Sequence, residues 1–153
     1  MLVARLGKQL DSNVRAFQYD YLTGTFGISD TAAYRSQVLA VLVDIEMAAG
    51  FHLYGTPIPK GYRPLTVTFE ENPNFAVDAV HFPQTRRFEM ASLGETFNLL
   101  PKDIHLETAL RIHNKPEFGQ HVVKAAISFQ ACDDKGCRFP EEASFEFPLR
   151  IAQ

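Results

Sequence analysis

From Gln37 onward, apolar and polar residues alternate along the chain. Gln37 to Met47 reads QVLAVLVDIEM, rich in aliphatic and β-branched residues, with alternation from Val41 to Met47. Further strands are predicted at Phe51–Tyr54, Leu65–Glu70, Phe75–Phe82, Phe97–Leu100, Ile104–His113, His121–Ala131 and Ala143–Ile151. Between them lie Ala48-Ala49-Gly50, the proline-rich stretch from Gly55 to Pro64, Asn72-Pro73-Asn74, Pro83 to Gly94 and Asn114 to Gly119, all read as turns or loops. Short strands with such punctuation, and no helical pattern after residue 35, predict an all-β, immunoglobulin-like β-sandwich. An antibody-type domain is excluded, because the cysteines are close in sequence and tryptophan is absent.

Residues 1–34 follow another pattern. Leu2, Leu6, Leu10, Val14 and Phe17 recur at three- to four-residue steps, which predicts a short amphipathic helix. This segment is read as a lead-in packed on the edge of a domain spanning 35–153. Met1 to Leu10 lacks the continuous apolar stretch of a signal peptide. A cytosolic chain, a trimmed secreted one and a piece of a longer one all fit it.

Composition narrows the class. The 153 residues are 46% apolar and 22% charged, enough for one core without a staple. A net charge of −3 and the lack of a basic run argue against nucleic acid. No apolar run reaches the length of a membrane span.

The candidate chemistry is the cysteine pair. Ile127 to Ala131 is a strand running into Cys132-Asp133-Asp134-Lys135-Gly136-Cys137, followed by Arg138-Phe139-Pro140. Four intervening residues let the chain fold back and bring the sulfurs together. A disulfide closing so small a loop contributes only about 2 kcal/mol, against about 4.7 for a hundred-residue loop. Redox exchange is therefore favoured over a stability role. Two readings stay open beside it: a non-catalytic, protein-binding sandwich whose Cys132–Cys137 disulfide pins a turn, and a metal site. Zinc needs further ligands, and His113 and His121, the nearest histidines, are not at zinc-motif spacing. Asp133 and Asp134 disfavour a thiolate while Lys135 and Arg138 favour it, so no strongly acidic thiol is expected. Phe129, Phe145 and Phe147 are expected in the core, and Phe139 is balanced between core and site.

Ser128 to Pro140 resembles the cysteine segment of the N-terminal periplasmic domain of the thiol:disulfide interchange protein DsbD: an aromatic residue, Gln, a small residue, Cys, a short acidic spacer, Cys and a nearby Pro. Ala49 to Tyr54 is similar to that family's Gly-aromatic-His/Tyr-aliphatic-Tyr segment, and the resemblance runs over about residues 37–152. It implies an extracytoplasmic thiol:disulfide oxidoreductase without cofactor or metal. A thioredoxin-like protein or domain would reduce it, and it would reduce client disulfide proteins. It further implies that Cys137 exchanges with partners and Cys132 resolves. Phe51 and Tyr54 would line the site. An aromatic cap would come from Phe82 to Phe97, with Phe88 as the candidate, and Phe139 adjoins the pair.

Overall fold

The computed structural model describes residues 13–91 and 94–153. Among them are eleven strands and no helix: β1 Val14–Tyr19, β2 Leu22–Ile28, β3 Ala32–Tyr34, β4 Val38–Met47, β5 Thr66–Phe69, β6 Phe75–Val77, β7 Arg86–Met90, β8 Glu95–Leu99, β9 Asp103–Ile112, β10 Gly119–Phe129 and β11 Glu141–Ala152. Five strands form one sheet in the order β1-β2-β4-β9-β6, and four form the other in the order β3-β11-β10-β5. The two sheets make an immunoglobulin-like β-sandwich. A separate hairpin, β7-β8, stands apart from both.

Alternation explains the pairing. In β4 and β9, in β10 from Val123 and in β11 from Ala143, every second side chain is buried, and these inward rows fill the space between the sheets. Phe129, Phe145 and Phe147 are all buried there, as the pattern predicts. Phe26 is the aromatic hub, with ring centroids 5.1 Å from Phe145 and 5.3 Å from Phe147.

The helix expected near the start is not formed by its described part. Val14 and Phe17 lie on β1, and Leu2, Leu6 and Leu10 fall outside the described residues. From Val14 the buried positions step by two: Phe17 and Tyr19 point inward and Gln18 outward. The three-residue step from Val14 to Phe17 coincides with a helical period without expressing one. β1 is the edge strand of its sheet, and β2 pairs with β4 over seven residues. Three of the predicted strands and loops also differ. The strand predicted at Phe51–Tyr54 is reduced to isolated bridges at His52 and Tyr54. The strand predicted at Phe75–Phe82 ends at Val77, and the loop predicted at Pro83–Gly94 contains β7.

β10 and β11 form the longest hairpin, in register from Gly119 opposite Ile151 to Phe129 opposite Glu141. The connection of that hairpin, residues 130–140, carries both cysteines.

Phe17 ties β1 into the core. It is 1% exposed, its ring lies 5.5 Å from that of Phe145, and it crosses Gly24 so closely that a Cβ there would meet its Cζ at 2.3 Å. Phe17→Ala is therefore expected to destabilise the whole domain by about 3–5 kcal/mol. Denaturant unfolding measures this, and a loss below about 1 kcal/mol would make β1 peripheral.

Candidate functional site

The site begins where β10 leaves the core. Ala131 is fully buried in the main core, and the pleat turns the next side chain, Cys132, to the opposite face. The chain then reverses, and Cys137 returns opposite Cys132 as an antiparallel partner. The Arg138 N–H donates to the Ala131 carbonyl at 2.8 Å, and the Asp133 N–H donates to the Gly136 carbonyl at 2.9 Å. These two bonds bracket the cysteines, which makes them a non-hydrogen-bonded pair, the kind whose side chains stand closest. Their Cα atoms are 4.0 Å apart, and the sulfurs are joined as a disulfide of 2.04 Å.

Side-chain hydrogen bonds hold the reversal alongside the disulfide. Asp133 Oδ1 accepts the N–H groups of Lys135 at 2.9 Å and of Gly136 at 3.0 Å, an Asx-type turn. Gln130 Nε2 donates to the Arg138 carbonyl at 3.1 Å, and Gln130 Oε1 accepts the Arg63 N–H at 3.1 Å. The Lys135 N–H is the main reason that the Asp133 carboxyl sits below the usual carboxylate range, with Gly136 and the charges of Arg138 and Lys135 adding to it. A depressed folded pKa means that this hold is present above the unfolded value and fades as pH falls through the folded one.

The two sulfurs have different surroundings. Cys132 is 1% exposed, inside a small cluster with Tyr54, Phe97 and Leu99 that is separate from the main core. Ile58, Tyr62 and Met90 close over that cluster, and the Phe97 ring centroid lies 5.0 Å from both Tyr54 and Tyr62. Burial, then Tyr62 and Asp133, push the Tyr54 phenol up, so it stays protonated. Cys137, by contrast, lies on the exposed rim with Arg138 and Phe139. Backbone pairing joins the parts. His52 pairs with Cys132, Tyr54 pairs with Leu99, and the Gly55 N–H donates to the Asn98 carbonyl at 2.9 Å.

Of the residues singled out from sequence, Cys132 and Tyr54 meet directly in this cluster. Phe51 reaches the loop through Arg138, whose guanidinium lies 5.0 Å from the Phe51 ring centroid and 5.4 Å from that of Tyr21. The same group approaches Asp20 at 3.7 Å. Phe88 lies on β7 directly opposite Phe97, on the same hairpin face as Met90, and is 41% exposed. Phe139, balanced between core and site, is 87% exposed. Phe97, Tyr62, Ile58, Leu99 and Met90 were not singled out. The alternation of Phe97 and Leu99 marked a strand, and nothing in the Pro-rich loop marked Tyr62 or Ile58. Among the described residues no group of three or more His, Cys, Asp or Glu side chains is placed to hold a metal ion.

The family model for the thiol:disulfide interchange protein DsbD, N-terminal, matches residues 28–149. The chain belongs to that family. With its cysteines joined as a disulfide, it is a thiol–disulfide interchange domain. The N-terminal periplasmic domain of ScsB from Proteus mirabilis has a similar fold, with 12% identity and a TM-score of 0.59 over 84% of this chain. This chain spans 47% of the ScsB chain. The N-terminal domain of Neisseria meningitidis DsbD in its reduced form aligns over 72% of this chain and 78% of its own, with 15% identity and a TM-score of 0.46. No curated protein matches. In this member of the DsbD N-terminal family the Asx-type turn spans the residues between the two cysteines, so it is expected to hold the thiols close after reduction. Asp133→Ala is expected to loosen the dithiol and make the disulfide up to about tenfold easier to reduce, roughly 30 mV in potential. Asp133→Asn keeps the acceptor and should stay near wild type. Equilibration against glutathione measures both, and an unchanged potential in Asp133→Ala would remove the turn from this role.

Proposed function

We propose that this domain relays reducing equivalents: a thioredoxin-like protein or domain reduces Cys132–Cys137, and the resulting dithiol reduces client disulfide proteins. The observation that carries this reading is the asymmetry of the pair. Cys137 is exposed, and Cys132 is buried among aromatic side chains. An incoming thiolate reaches the Cys137 sulfur, the bond to Cys132 breaks, and Cys132 leaves with the electron pair. In the forward direction Cys137 attacks the client disulfide and forms a mixed disulfide. Cys132 then attacks Cys137, and the client departs as a dithiol, reduced by the two electrons that the cysteine pair gives up.

The aromatic residues take supporting roles. Tyr54 walls Cys132 off from water. The β7-β8 hairpin, with Met90 over the buried cluster and Phe88 outside it, is suited to act as the cap. Phe139, two residues after the exchanging sulfur, offers an apolar contact to a docking partner. We place the domain outside the cytoplasm, as the ScsB relative is described as periplasmic. Among the described residues no helix is long and apolar enough to cross a membrane.

Trapping tests the assignment. Cys132→Ser should accumulate a mixed disulfide with a thioredoxin-like protein through Cys137, and Cys137→Ser should accumulate none. Trapping through Cys132 would reverse the roles. A reduction potential below about −300 mV would make the pair a structural bridge and end the relay reading.

A further inference from the structure

We infer that His52 is the proton acceptor for Cys132 when that buried thiol resolves the mixed disulfide. The inference rests on the exchange reading above and adds a residue to it.

The placement follows from the backbone. The His52 N–H donates to the Cys132 carbonyl at 3.0 Å, and the Cys132 N–H donates to the His52 carbonyl at 3.1 Å. Residues that exchange both bonds are directly opposed, about 5.5 Å apart at Cα, with side chains on one face. Alternation agrees. Leu53 is fully buried in the main core, so His52 and Tyr54 share the other face, and Tyr54 belongs to the Cys132 cluster. Cys137 opposes Cys132 from the far side. One row across three strand segments therefore reads Cys137, Cys132, His52.

The chemistry needs such a group. A thiol buried among Tyr54, Phe97 and Leu99 holds its proton more tightly than one in water, because burial penalises the thiolate. To attack Cys137 it must lose that proton. As the proton passes from Cys132 Sγ to the imidazole, directly or through one water, Cys132 Sγ bonds to Cys137 Sγ. The bond from Cys137 to the client sulfur breaks, the electron pair leaves with that sulfur, and the client thiolate is protonated from solvent. In the reverse direction the imidazolium returns the proton to the departing Cys132. Tyr54 cannot take this part while its phenol is protonated, and Asp133 Oδ1 is committed to the turn.

The groups facing His52 keep it ready. Arg86 on β7 and Lys102 after β8 line the same shallow cavity as His52, together with Thr85, Leu99 and Leu100. Burial first, then the charges of Arg86 and Lys102, lower its proton affinity, so the ring is neutral at pH 7 and free to accept. The sign follows: it works above its lowered pKa and stops working as pH falls through it.

The test uses the reduced domain and dithiobis-nitrobenzoate, a disulfide that releases one coloured thiol when Cys137 attacks and a second when Cys132 resolves. In wild type the second phase should rise with pH through an inflection below about 6.5. His52→Gln should slow that phase at pH 7 by about tenfold or more and abolish the inflection, leaving the first phase intact. A second phase of wild-type rate and profile in His52→Gln would overturn the inference. So would an inflection lost in Asp133→Asn and kept in His52→Gln, or a wild-type second phase with no inflection, a measurement that needs no variant to fold. A first phase that persists in Cys137→Ser would instead bring down the exchange reading itself.

Discussion

The site depends on one pleat. Ala131 is locked into the main core, so Cys132 must point out of it, into the small cluster of Tyr54, Phe97 and Leu99. Slipping β10 by one residue would put the sulfur between the sheets and Ala131 at the rim. The eleven-pair ladder with β11 prevents that slip, because the whole inward row would have to leave the core with it. Sandwich packing thus aims the cysteine, and the chemistry inherits its geometry from the fold.

The second consequence of the pleat is a division of labour around the disulfide. Main-chain bonds and Asp133 hold the reversal, aromatic side chains shield one sulfur, and the rim leaves the other open. These hydrogen bonds do not pass through sulfur, so opening the disulfide removes none of them directly. A redox loop that had to refold at each turnover would lose the proximity of its thiols, which is the chief factor favouring fast intramolecular resolution.

The long strands were legible in the sequence because each buries one face and solvates the other; Val41 to Met47 and Ala143 to Ile151 declare themselves by alternation alone. β7 was not, since RRFEM is exposed or half-buried at every position and offers no contrast to read. β1 was masked by leucine spacing that runs into it from upstream. The cysteine loop was legible because its partners are local: Asp133, Gly136 and Arg138 lie within six residues of Cys132. The wall around Cys132 was not, because Tyr62 and Phe97 come from two distant stretches that only the fold brings together. Phe139 could not be placed from pattern alone, as a single aromatic after a turn fits core and surface equally.

Arg138 ties the N-terminal hairpin to the cysteine loop. Its backbone follows Cys137 directly, while its guanidinium lies over Tyr21 and beside Asp20, both in the turn between β1 and β2. A boundary drawn between residues 34 and 35 would thus sever more than an edge. It would take Tyr21 and Asp20 from Arg138, the residue after Cys137, and leave it the Phe51 ring. At this one side chain the first hairpin and the cysteine loop are in contact.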